Sequence, residues 1–173
     1  MSEVSLWFQR KFKFDFPADL HPNLRVRLRG TPARLEELTQ GLDEEQLRSR
    51  LEEKWSIQEN AGHLLDLEEL WITRLDEFLR GAETLTAAEI TNMKTHRAHH
   101  NDRRLLEILS AFRRTRLDWI DRLDGLREED FSRSALHPRL QLPMRLVDSL
   151  LFVAEHDDHH LATIWEMRRR LMS

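Results

Sequence analysis

The chain of 173 residues has no cysteine, which removes disulfides, thiolate metal ligands and cysteine nucleophiles together. Any transition metal it holds must be bound by His, Asp or Glu. Glycine and proline are scarce, at 5 each, and the stretches between them carry helical spacing, so the expected fold class is all-α. No apolar run approaches the roughly 18 residues of a membrane span, and the opening MSEVSLWFQRKF lacks the apolar core of a secretory signal. A cytoplasmic protein without a membrane partner is the expectation. Strong charge of one sign is missing as well: 27 basic against 31 acidic residues leave a net charge of -4. Without a basic cluster, nucleic acid is not an implied partner.

What is present suffices for one core. Hydrophobic residues make up 40% and charged residues 34%, and the length suits a single domain over residues 1–173. The first 22 residues read as an extended N-terminal arm, because Phe12, Phe14 and Phe16 alternate with Lys11, Lys13 and Asp15 at the period of a strand. A first helix is expected from about Leu24 to Gln40, with Gly41 beyond its end and Thr31-Pro32 as an internal start or kink. Asp43 and Gln46 form a short capping box. Ser56 and Glu59 form a better one, opening a second helix that runs to about Leu79.

The linker from Gly81 to His100 is long, with a brief helix expected at Thr86 to Glu89. A third helix is expected from Asn101 to about Leu123. It carries Arg116 on its apolar stripe, where an arginine needs a carboxylate or a route to the edge. After a loop marked by His137-Pro138 and Leu142-Pro143, a fourth helix is expected from about Met144 to Leu171. Four long amphipathic helices make a four-helix bundle.

The fourth helix holds the densest chemistry, in VAEHDDHHLA. Its core stripe reads Leu146, Leu150, Val153, His156, His160, Ile164, Met167 and Leu171, so two histidines sit in an otherwise apolar face. Residues four apart on a helix project side by side, and two such imidazoles can share a metal ion. His63, on the second helix beside its apolar stripe, is the best third ligand, because open zinc sites use three protein ligands plus water. Glu59, Asp66 and Asp157 are candidates for orienting these ligands. The competing reading is of core histidines satisfied by carboxylates. His159 points away, towards a rim. His96, His99 and His100 are expected to be solvated or capping, and His21 and His137 to be structural loop residues. The H-E-x-x-H protease signature fails, because Asp157 stands where the glutamate base belongs.

The segments KFKFDFP, RLRGTPARLEEL, KWSIQENAGHLLDLEELW, LSAFRRTRLDWIDRL and FVAEHDDHHLATI resemble the DinB-like (DinB/YfiT) superfamily over nearly the whole chain. The most specific parts are W-S-x-x-E-x-x-x-H-L, from Trp55 to Leu64, and the H-x-x-x-H of His156 and His160. The resemblance implies an up-down-down-up four-helix bundle in which His63, His156 and His160 hold a divalent metal, zinc or nickel. It also implies a homodimer as a common assembly. Characterised branches of the family are largely metal-dependent thiol S-transferases. The expected function is therefore metal-dependent transfer of a low-molecular-weight thiol to an electrophilic small molecule, with Asp157 and Arg116 as candidate catalytic residues. A metal-dependent hydrolase at the same site and a non-enzymatic metal-binding stress-response protein are the alternatives.

Overall fold

The computed structural model describes residues 4–172. Its helices are α1 (His21–Arg29), α2 (Thr31–Thr39), α3 (Glu44–Arg48), α4 (Ile57–Arg80), α5 (Met93–Arg97), α6 (Leu105–Asp124) and α7 (Leu146–Leu171), and strands β1 (Ser134–His137) and β2 (Leu142–Arg145) form a hairpin between α6 and α7. The first helix of the bundle is thus two rods, α1 and α2, divided at Gly30 with Pro32 in the first turn of α2. Gly41 follows with φ of +78°, a left-handed conformation that glycine adopts without penalty.

Both capping boxes form. Asp43 accepts from the Gln46 N–H at 2.8 Å, and the Ser56 N–H donates to Glu59 at 2.9 Å while Ser56 Oγ accepts from the Glu59 N–H. The N-terminal arm keeps the strand period over residues 11–16, where Phe12, Phe14 and Phe16 are partly buried against the core and Lys11, Lys13 and Asp15 are exposed, but it is not extended throughout: Trp7–Gln9 and Ala18–Leu20 are single 3-10 turns, and α1 already begins at His21.

The structure departs from the sequence-based expectations further along the chain as well. The hairpin β1–β2 makes the protein not purely all-α. Pro143 sits in it opposite Leu136, whose own N–H and carbonyl bond Glu83 and Leu85 on the other side, so no donor is required of the proline. Since β2 takes Met144 and Arg145, α7 begins at Leu146. No helix forms at Thr86 to Glu89, because the Thr86 N–H and hydroxyl both bind Glu77 and its carbonyl accepts from Arg74, which pins the chain along α4. Lastly, α6 starts at Leu105, since the carbonyls of His100 and Arg103 are turned to Gln58 Nε2.

In the bundle, α1–α2 and α4 each pack against both α6 and α7. Two apolar clusters occupy opposite ends. One gathers Leu35, Ile57, Leu64, Phe112 and Ile164; the other gathers Leu28, Leu75, Leu123, Met144 and Leu150. Comparing residue numbers at each end shows that α1–α2 and α7 run in one direction and α4 and α6 in the other. Between the clusters lies a charged layer: fully buried Arg116 of α6 donates to Glu68 of α4 at 2.6 Å and to Asp157 of α7 at 2.5 Å. The hydroxyl of Thr31, at the break between α1 and α2, donates to Asp157 at 2.7 Å.

Candidate metal centre

His63 lies in the second turn of α4, and His156 and His160 lie one turn apart at the middle of α7, where the two helices pack. All three are buried. One nitrogen from each lies within 4.8 Å of the others, and the Nε2 atoms of His156 and His160 are 3.3 Å apart. Metal–nitrogen bonds of about 2.0–2.1 Å at a near-tetrahedral angle separate two ligand nitrogens by about this distance.

Hydrogen bonds at the far ring nitrogens fix the tautomers of His160 and His63. Asn60, one turn before His63, donates its amide to the Ser56 carbonyl at 2.9 Å, which turns Oδ1 towards His160 Nδ1 at 2.8 Å. That nitrogen therefore carries the proton and leaves a lone pair on Nε2. Thr95 of α5 donates its hydroxyl to Asp66 at 2.8 Å and is left to accept from His63 Nδ1 at 2.9 Å. His63 also keeps its lone pair on Nε2. Asp66 accepts in addition from His100 Nε2 at 2.8 Å. Donors held by hydrogen bonds on the opposite ring nitrogen are what metal-binding imidazoles require.

Burial pushes His63 down to about 4, with the Asp66 carboxylate opposing and His100 adding to the fall. Burial and neighbouring histidines push His156 and His160 well below the usual range. All three rings are neutral near pH 7, as ligands must be. His160 Nε2 turns its lone pair on His156 Nε2 at 3.3 Å, and His156 Nδ1 is buried with no partner among the described residues, so whichever nitrogen carries the His156 proton, one buried nitrogen of that ring is left unsatisfied. Lone pairs on Nε2 of His63 and His160 beside a third imidazole are a donor set that fits a divalent metal.

The triad opens onto a cavity of about 1140 Å³ walled by Trp7, Trp55, Trp71 and Phe152. Trp7 of the arm meets the His156 ring edge-on at 5.0 Å.

The other predicted residues separate. Asp66 reaches His63 through Thr95. Glu59 does not touch an imidazole, because its carboxylate caps α4 and pairs with Arg50. Asp157 and Arg116 come together in the charged layer and do not line the cavity; the arginine answers a buried carboxylate pair. His159 is half-buried on the cavity wall. His96 and His99 are exposed as expected, but His100 is buried, its ring occupying the space beside Gly62, where a Cβ would lie 2.2 Å from the ring. His21 stacks on Phe131 at 3.8 Å. His137 accepts the turn N–H groups of Arg139 and Leu140, a structural role, but it also lines the cavity. Sequence reasoning missed Asn60 and Thr95. Asn60 precedes His63 by one helical turn and was visible as a polar neighbour of the ligand; Thr95 lies in the linker and carried no signal.

A family model described as the DinB superfamily matches residues 27–164. Among solved structures, YfiT from Bacillus subtilis, described as a probable metal-dependent hydrolase with an unusual four-helix bundle topology, aligns with a TM-score of 0.82 and 19% identity, covering 94% of this chain and 93% of that one. At that identity the likeness carries the fold. The sequence has no match among curated proteins.

Proposed function

The chain belongs to the DinB superfamily, and from that premise we propose that it is a divalent-metal-dependent enzyme that adds a low-molecular-weight thiol to an electrophilic small molecule. The observation that carries this reading is the convergence of His63, His156 and His160, from two helices, at the wall of a large cavity. Neutral imidazoles suit zinc or nickel. When bound, such an ion supplies Lewis acidity and stabilises a thiolate at neutral pH.

The chain's own residues do the rest. Asn60 and Thr95 hold the ring protons of His160 and His63 at Nδ1. Trp7 and Phe152 keep water from one wall of the site, and their apolar faces suit a substrate with an apolar body. Asp157 and Arg116 act as positioning residues: held by the Thr31 hydroxyl and by Arg116, itself anchored to Glu68, Asp157 fixes the backbone of α7 beside His156.

The test pairs composition with turnover. Elemental analysis of the purified protein is expected to give about one divalent metal per chain, and monochlorobimane is expected to be conjugated by a thiol at a rate abolished by EDTA and by His156→Ala. Absence of metal, or metal without turnover across several thiols, overturns the reading. Likeness to YfiT favours a second reading, with water in place of the thiol. Ester or amide turnover without thiol, rising with an apparent pKa near about 7, would select it.

A further inference from the structure

The cavity has a second chemical feature, at the end away from the imidazoles. Arg74 of α4 is 2% exposed, yet it pairs with no carboxylate among the described residues. Its Nε and Nη2 donate to the Thr86 carbonyl at 3.0 and 2.8 Å. Its Nη1 faces His137 Nε2 at 3.4 Å. The nearby carboxylate of Glu77 is occupied by the N–H and hydroxyl of Thr86 and by Arg80. Arg139, in the hairpin turn, has a buried Nη2 with no partner among the described residues, and its guanidinium lies over Phe8 and Phe152 at 5.3 and 5.6 Å. All three side chains line the cavity.

The third member is a donor too. Because His137 Nδ1 accepts from the Arg139 and Leu140 N–H groups at 3.3 and 3.2 Å, the ring proton of neutral His137 sits on Nε2, facing Arg74. Two guanidinium groups and an imidazole N–H therefore line one cavity, and none of the three is paired with a carboxylate among the described residues. Buried arginines are ordinarily paired, and Arg74 is buried without a carboxylate bonded to it among the described residues. Burial lowers Arg74 to about 10 against the opposing Glu77 carboxylate, with Arg139 adding to the fall, and burial beside Arg74 and Arg139 lowers His137 to about 4.

The two ends of the cavity are joined. Arg74 follows His63 on a similar face of α4 by about three turns, or about 16 Å of rise. Along the opposite wall the rings run without a gap: His137 to Phe152 at 5.1 Å, Phe152 to Trp7 at 5.1 Å, and Trp7 to His156 at 5.0 Å.

We propose that Arg74, Arg139 and the Nε2–H of His137 form an anion-binding subsite, and that the substrate is an elongated amphipathic anion. A carboxylate or phosphate monoester sits at the arginines, an apolar body lies along Phe152 and Trp7, and the reacting group reaches the three imidazoles. The last clause rests on the metal-centred reading above; the subsite itself does not.

Octanoate, octyl phosphate and octanol share a chain and differ in the headgroup. Titration calorimetry on the purified protein, and on the same protein after EDTA treatment, is expected to show at least one anion binding tenfold or more tighter than octanol in both preparations. The tighter of the two identifies the headgroup. Arg139→Gln is expected to bring that anion to the level of octanol with metal content unchanged, and Arg139→Lys to restore part of the preference. Equal affinity for octanol, no binding of either anion, a preference that survives both Arg139→Gln and Arg74→Gln, or one that vanishes with the metal would each overturn the proposal. An anion preference in protein that shows no metal-dependent turnover would leave the subsite standing and remove the enzyme reading instead.

Discussion

Asn60 and Thr95 each hold one imidazole, and neither touches the position where the three rings converge. Removing such partners ordinarily weakens metal binding by about 10–100-fold. Asn60→Ala and Thr95→Val are therefore expected to bind zinc more weakly by that margin in competition with a chelator, while their circular dichroism spectra stay native. The rings themselves set a pH dependence. In the unfolded chain a histidine takes up a proton near about 6.5, whereas folded His63 and His137 do so only at about 4. Between these values the unfolded state binds more protons, so metal-free protein loses stability as pH falls through this window, at up to about 1.4 kcal/mol per unit for each such ring. Urea midpoints of the metal-free protein from pH 7 to 4 are expected to fall accordingly, and His63→Gln to fall less steeply.

At the scale of elements, α4 carries an internal glycine that normally costs a helix about 1 kcal/mol. Gly62 is there because the His100 ring lies against it, and that ring holds Asp66, which holds Thr95 and, through it, His63. Gly62→Ala gains helix propensity and loses the seat of His100. The loss is expected to win, with about 1–3 kcal/mol of destabilisation from overpacking, read by urea denaturation, and with weaker zinc binding in the same chelator competition. The elements were largely legible beforehand, because capping boxes and apolar periodicity are local signals. Ser56 with Glu59 marked the start of α4, and the stripe from Leu146 to Met167 placed His156 and His160 together. What was not legible depends on distant chain. The hairpin carries a proline that reads against a strand, and only the pairing of Leu136 with residues 83–85 makes it tolerable. His100 looked solvated because its burial is decided by a glycine on another helix, and the meeting of Arg74, Arg139 and His137 requires the hairpin to fold back on α4.

Across the whole molecule, the two apolar clusters are separated by the layer of Arg116, Glu68 and Asp157, through which all four segments of the bundle pass. Arg116 stays charged, since its two carboxylates outweigh the effect of burial, while burial holds Glu68 above its usual range in spite of Arg116. Breaking such a group by removing one partner costs about 3–5 kcal/mol, whereas replacing all of it with apolar side chains of similar size is often neutral or stabilising. Arg116→Met is expected to lose that amount at pH 7 by leaving two buried carboxylates face to face. The loss should shrink as pH falls and Glu68, already held above its usual range by burial, takes a proton, which is the opposite of the slope set by the histidines. The triple replacement Glu68→Leu, Arg116→Met, Asp157→Leu is expected to recover most of the stability in urea. The layer is then needed for a different reason if the recovered protein binds zinc less well than the parent. Asp157 is the only member adjacent in sequence to a ligand, and its bonds to Arg116 and to Thr31 at the α1–α2 break tie the rotation of α7 to the other helices. A stable triple variant with unchanged zinc affinity would show instead that apolar packing alone sets that rotation.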